Sequence, residues 1–197
     1  DLRDIARGLL RYLDTTRVSF WSEIQLCNFL ANFHAEETAE LLATNRLSVL
    51  PPAIAPRTDV SNIGTDQKLR CLCIASGKFW HKGVPDTIAA VDRLAASGVP
   101  IILTIVGADI AEDWQAFIQS RVHLKFYTKL SRDDLDSVMR NHDVLVFPSH
   151  HDTYGWVLLE AKSFGLPAVV TDFYNRPEIV SHEIDGLLVR DPFANPF

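Results

Sequence analysis

Two carboxylates, two lysines and a few glycines are the residues of this chain whose types and spacing suit chemistry. Asp152 and Glu160 stand eight positions apart, with Gly155 between them, in the stretch His150-His151-Asp152-Thr153-Tyr154-Gly155-Trp156-Val157-Leu158-Leu159-Glu160. An apolar run, Val144–Phe147, precedes it and is closed by Pro148 and Ser149. That run reads as a short buried strand. The residues after Gly155 read as a helix with Val157, Leu158, Ala161 and Phe164 on one face and Gly165 as its stop. A strand, a glycine-bearing loop and a helix N-terminus present free backbone N–H groups and the positive end of a helix dipole, which suits an anion. The carboxylates cannot serve that anion. They suit hydroxyl groups, such as those of a sugar, which can donate to them.

The lysines lie in a second glycine-bearing loop, Ser76-Gly77-Lys78-Phe79-Trp80-His81-Lys82-Gly83. Whether the two loops meet depends on the elements that carry them. From Leu69 the pattern is regular. Strands are predicted at Leu69–Ala75, Ile101–Val106, Leu124–Tyr127, Val144–Phe147 and Ala168–Thr171, with a further one at Leu187–Val189. Helices are predicted between them, from about Pro85 to Ser97, over Glu112–Gln119, from Ser131 to about Asn141 and after Gly155, with a short turn or helix at Pro177–Val180. Pro85 early in the first helix and Gly98 past its end follow the usual asymmetry. Ser131-x-x-Asp134 is a capping arrangement. Strands alternating with helices imply an α/β fold, a doubly wound parallel sheet covered on both faces. In the common strand order 3-2-1-4-5-6 the first and fourth strands are neighbours, and ligands bind at their carboxyl ends. The loops meeting there are Ser76–Gly83 and Pro148–Gly155. Two lysines opposite a helix N-terminus would hold a diphosphate, and carboxylates beside them would hold hydroxyls. That is the chemistry of a nucleotide-sugar site.

Each residue alone has an ordinary reading. Lys78 and Lys82 are solvated surface lysines, Glu160 a helix charge, and Asp152 a loop carboxylate capping its helix. His142, His150 and His151 lack a metal-ligand spacing, so no metal site is expected. Trp80 and Trp156 read as packing residues. Cys71 and Cys73 alternate on a buried strand and are expected to be inert thiols.

The 197 residues suffice for one domain and some extra chain. Apolar residues make up 47% and charged ones 22%, the balance of an ordinary globular chain. No apolar run approaches the roughly 20 residues of a membrane-spanning helix, and no signal peptide is visible. The net charge of −6 argues against nucleic acid as a partner. Three cysteines, Cys27, Cys71 and Cys73, without framework spacing suit a reducing compartment, hence a cytoplasmic location. Residues 1–67 differ from the rest and are expected to be a mainly helical segment and linker, a remnant or docking piece rather than a full domain. Leu2, Ile5, Leu9, Leu10 and Leu13 recur at helical spacing. Val18–Phe20 and Leu47–Leu50 read as short strands. Helical pieces are expected after Ser22 and from about Glu36 to Leu42, and prolines 51, 52 and 56 break the chain. Residues 68–197 form the Rossmann-like domain.

The regular half resembles the C-terminal, nucleotide-sugar-binding domain of retaining glycosyltransferases of family 4 (group 1), which have the two-Rossmann-domain GT-B fold. The resemblance runs from about Leu69 to Val189. Its motifs are the Ser76–Gly83 loop, Val106-Gly107, Val146-Phe147-Pro148-Ser149, Asp152-Thr153-Tyr154-Gly155, Leu158-Leu159-Glu160-Ala161, Gly165-Leu166-Pro167, Pro177-Glu178-Ile179-Val180 and Asp185–Val189, in the family's order. The family's usual Glu-x7-Glu is here Asp152-x7-Glu160. Its usual arginine is Lys78, which loses bidentate contact with phosphate.

The resemblance implies a hexosyltransferase that moves a sugar from a nucleoside diphosphate sugar with retention and without metal. Lys78, Lys82 and Asp152 would be catalytic: the lysines would hold the diphosphate, and Asp152 would address the donor sugar. Gly77 and the backbone of Tyr154, Gly155 and Trp156 would contact phosphate or sugar. Glu160 would accept from the ribose, and Lys129, in the Tyr127–Leu130 loop, would flank the base. No cofactor is implied beyond the donor substrate. The family's N-terminal, acceptor-binding Rossmann-like domain does not fit in residues 1–50, and turnover would need it. The rival reading is a non-catalytic nucleotide-binding or interaction module. A dinucleotide oxidoreductase is disfavoured, because no Gly-x-Gly-x-x-Gly follows a strand.

Overall fold

The computed structural model describes residues 18–20, 23–30, 38–39, 42–43, 47–58, 67–75, 79–107, 110–152 and 154–190. The chain divides into two compact units, Asp1–Ala53 and Ile54–Phe197. The boundary expected from the sequence lay after residue 67. Residues 54–58 belong instead with the second unit, because Arg57 is tied there. Its amide donates to the Ser163 carbonyl at 3.0 Å, its guanidinium meets Asp136 at 2.7 Å, and it lies 4.3 Å over the Phe164 ring.

In the first unit, β1 (Val18–Phe20) pairs in parallel with β2 (Leu47–Val49). Helix α1 covers Glu23–Leu30. Both short strands are those expected from the sequence; that they pair with each other, in parallel, is decided by the fold. The helix expected over residues 2–13 lies outside the described residues, as does most of the piece expected at 36–42.

The second unit is a parallel six-stranded sheet. Its strands are β3 (Leu69–Ile74), β4 (Ile101–Val106), β5 (Leu124–Tyr127), β6 (Val144–Phe147), β7 (Ala168–Thr171) and β8 (Gly186–Val189), in the spatial order β5-β4-β3-β6-β7-β8. This is the doubly wound order expected from the sequence. Helices α2 (Val84–Ala96), α3 (Glu112–Gln119), α4 (Arg132–Arg140), α5 (Trp156–Ser163) and α6 (Arg176–Ile179) connect the strands. Strands rich in Val, Ile and Leu are buried on both faces. One core holds Cys71, Cys73, Leu103 and Ile105 with Ile88 and Val91 of α2 and Ile118 of α3. The other holds Leu72, Leu145 and Val170 with Met139 of α4 and Leu158 and Ala161 of α5. The Ser131 hydroxyl accepts from the Asp134 amide at 3.1 Å, which starts α4 as its capping motif predicts.

Burial settles three polar groups. Burial pushes the Cys71 thiol up to about 11, with the Asp143 charge adding to the shift. Burial also pushes Cys73 up to about 12, against a hydrogen bond with Thr87. Neither thiol is a nucleophile near neutrality. His142 is 9% exposed. Its Nδ1 lies 2.6 Å from the Val138 carbonyl and its Nε2 2.8 Å from the Thr104 hydroxyl. A carbonyl only accepts, so Nδ1 carries the proton and Nε2 accepts from Thr104.

Candidate functional site

The crevice at the carboxyl ends of β3 and β6 is built by close approach of the loops after these strands. The first loop ends at Gly83, whose φ of 67° starts α2 in the left-handed region that glycine tolerates. The Gly83 carbonyl accepts from the Thr87 amide at 3.0 Å and the Thr87 hydroxyl at 2.9 Å. The His81 carbonyl accepts from the His150 amide at 2.8 Å and from the Ser149 hydroxyl at 3.1 Å. The described parts of the two loops, residues 79–83 and 148–152, thus lie side by side, as the strand order requires.

Lys82 and Asp152 meet in this crevice. The Lys82 ammonium donates to Asp152 Oδ2, and the two side chains are only 13% and 15% exposed. The second carboxylate oxygen, Oδ1, accepts from the amides of Tyr154 at 3.2 Å and Gly155 at 3.1 Å. Burial alone would raise the Asp152 pKa. The hydrogen bond and charge of Lys82 and the two amides outweigh it and hold the carboxyl below its ordinary value. Gly155, at φ 91°, is the residue from which α5 departs. Both oxygens of Asp152 therefore turn inward, and two backbone donors expected to meet phosphate or sugar are held by Asp152.

The other expected site residues are spread around this pair. Glu160 lies on α5 and accepts from the Arg132 guanidinium of α4. Arg132 also meets Asp136 at 2.9 Å. Tyr154 is buried and Trp156 is 44% exposed, their rings 6.0 Å apart. Lys129 is exposed after β5, at the sheet edge two strands from β3. Gly77 and Lys78 lie outside the described residues. Among the described residues no three His, Cys, Asp or Glu side chains are grouped to hold a metal.

Arg176 supports the site without any motif in the sequence that marks it. It is 1% exposed. Its Nη2 donates to the Ser149 carbonyl at 2.6 Å and its Nη1 to the Phe173 carbonyl at 2.7 Å. The Thr171 hydroxyl reaches the same Ser149 carbonyl at 3.2 Å, and Asn175 holds the Tyr154 carbonyl at 2.7 Å. The Phe147 ring lies against both cations, 5.5 Å from Lys82 and 5.9 Å from Arg176. Arg176 thus fixes the loop that carries Asp152 from beneath. The only signal in the sequence was a polar trio, Asn175, Arg176 and Glu178, closing a buried strand.

A six-stranded parallel sheet in this doubly wound order, with helices between its strands, defines a Rossmann-like domain. Residues 59–196 match the family described as Glycosyl transferases group 1, and the chain belongs to that family. It is 34% identical over 113 residues to the glycogen synthase of Mycobacterium tuberculosis (strain CDC 1551 / Oshkosh), covering 55% of this chain and 27% of that protein. It is 25% identical over 198 residues to the lipopolysaccharide glucosyltransferase WaaG of Escherichia coli (strain K12), covering 91% and 50%. The apo structure of the lipopolysaccharide outer core galactosyltransferase WaaB shares the fold, with a TM-score of 0.71 at 18% identity over 90% of this chain and 49% of that one. The chain spans half the length, or less, of these relatives. Its six-stranded unit matches the C-terminal, Rossmann-like domain of group 1 glycosyltransferases with the GT-B fold.

Proposed function

We propose that the Ile54–Phe197 unit binds a nucleoside diphosphate sugar and serves as the donor half of a retaining, metal-independent glycosyltransferase. The observation that carries this reading is the convergence of Lys82, Asp152 and the start of α5 at the carboxyl ends of β3 and β6. Lys82 meets the diphosphate there, with Lys78 on the same loop. Glu160 accepts from the ribose, which requires its carboxylate to share or leave Arg132. Lys129 flanks the base.

In the transfer, the bond from the sugar's anomeric carbon to the diphosphate oxygen breaks. A bond from that carbon to the acceptor oxygen forms on the same face. The acceptor's proton ends on the departing nucleoside diphosphate. Negative charge grows on that leaving group, and a lysine ammonium with a helix N-terminus stabilises it where water is excluded. Positive charge supplied by side chain and backbone removes the need for a metal. An acceptor-binding Rossmann-like domain completes the reaction.

Calorimetry with a panel of nucleoside diphosphate sugars tests the donor reading. A lysine–phosphate contact contributes about 1.5–3 kcal/mol, so Lys82→Ala is expected to weaken binding about tenfold or more, with no effect of chelator. Equal affinity for wild type and Lys82→Ala would overturn the site, and loss of binding with chelator would overturn metal independence.

A further inference from the structure

We propose that Asp152 is an internal competitor for the phosphate of the donor, and that this competition lets the site discriminate a sugar-bearing donor from the bare diphosphate product. The inference rests on the donor reading above.

Asp152 is bound as a ligand would be. One carboxylate oxygen takes the Lys82 ammonium. The other takes the amides of Tyr154 and Gly155 at 3.2 and 3.1 Å. An ammonium and two amides at a helix start are the donors a phosphate oxygen requires. Two anions cannot share them, because like charges at contact repel strongly where solvent is largely excluded. Phosphate must displace the carboxylate.

The displaced carboxylate then needs new donors. A bare nucleoside diphosphate brings none beyond its terminal phosphate, its ribose hydroxyls lying on the other side, so it competes against Asp152 without compensation. A nucleoside diphosphate sugar carries hydroxyl groups on the far side of the phosphate, and these donate to the displaced carboxylate. Donor is held and product is released by the same residue. With the pair closed, the binding-competent fraction is small, and apparent affinity is reduced by that fraction. A closed fraction of nine-tenths would weaken the bare diphosphate by about tenfold.

The test is calorimetry on the full chain with UDP, ADP and GDP and with the glucose ester of each, comparing wild type, Asp152→Asn and Asp152→Ser. Both substitutions leave a neutral oxygen that can accept from the Tyr154 and Gly155 amides, and thermal unfolding confirms that each variant is folded. The expected result is that the bare diphosphate binds about fivefold or more tightly to the variants. The glucose ester gains less or loses affinity, so the preference for ester over diphosphate falls. Unchanged or weaker binding of the diphosphate in both folded variants overturns the exchange while leaving the donor reading intact. Wild-type chain that binds none of the six compounds overturns the donor reading and the exchange with it.

Discussion

Gly83 and Pro148 approach so closely that a β-carbon on Gly83 would lie 2.2 Å from the Pro148 carbonyl oxygen. This contact joins the lysine loop to the carboxylate loop. Gly83→Ala meets two costs. A left-handed residue with a side chain costs about 1–2 kcal/mol, and forcing the loops apart adds about 1–3 kcal/mol. Gly98 also has a positive φ, 88°, but nothing lies within 4 Å of its added β-carbon. Urea denaturation should therefore show Gly83→Ala losing about 2–5 kcal/mol and Gly98→Ala only the smaller, conformational part. Equal losses would show that the close approach contributes nothing.

Arg176 is expected to hold the carboxylate loop in place. Arg176→Met deprives the Ser149 and Phe173 carbonyls of a charged donor, and Ser149 retains only the Thr171 hydroxyl among the contacts described above. Hydrogen bonds to charged groups contribute about 1.5–3 kcal/mol each, so losing the two should cost about 3–6 kcal/mol. Arg176→Lys should recover part of it, since an ammonium cannot span both carbonyls with the planar geometry of a guanidinium. Chemical denaturation gives the energies. Faster hydrogen exchange at the Tyr154 and Gly155 amides in Arg176→Met would locate the loosening in the site loop. Unchanged exchange there would refute this role.

His142 gives the second unit an acid sensitivity. Burial holds its pKa below the ordinary value, with the Arg70 and Lys125 charges in the same direction and the Val138 carbonyl and Asp143 opposing. The unfolded chain therefore takes up the proton first as pH falls, and stability is lost from about pH 6.5 downward toward the folded pKa. His142→Gln should unfold with a shallower fall in stability between pH 7.5 and pH 5.5 than wild type. Parallel curves would mean that His142 does not titrate between the folded and unfolded states.

The elements and their class are legible in the sequence. β5, β6 and β7 occupy Leu124–Tyr127, Val144–Phe147 and Ala168–Thr171, the spans expected from short apolar runs and turn residues. Those signals are local: a residue's neighbours along the chain set its periodicity and its turns. The alternation of strand and helix then left few topologies, and the order of the sheet brought the two loops together. Which charges pair is a property of the assembled fold. Lys82 and Asp152 are 70 positions apart, Arg132 and Glu160 are 28 apart, and Arg176 and Ser149 are 27 apart. A carboxylate at the mouth of a crevice can face a hydroxyl, an amide or an ammonium with the same residue at the same position in sequence. The choice depends on loop backbone angles and on donors delivered by other strands. No local pattern encodes these, because each pair forms only after the sheet has assembled around it.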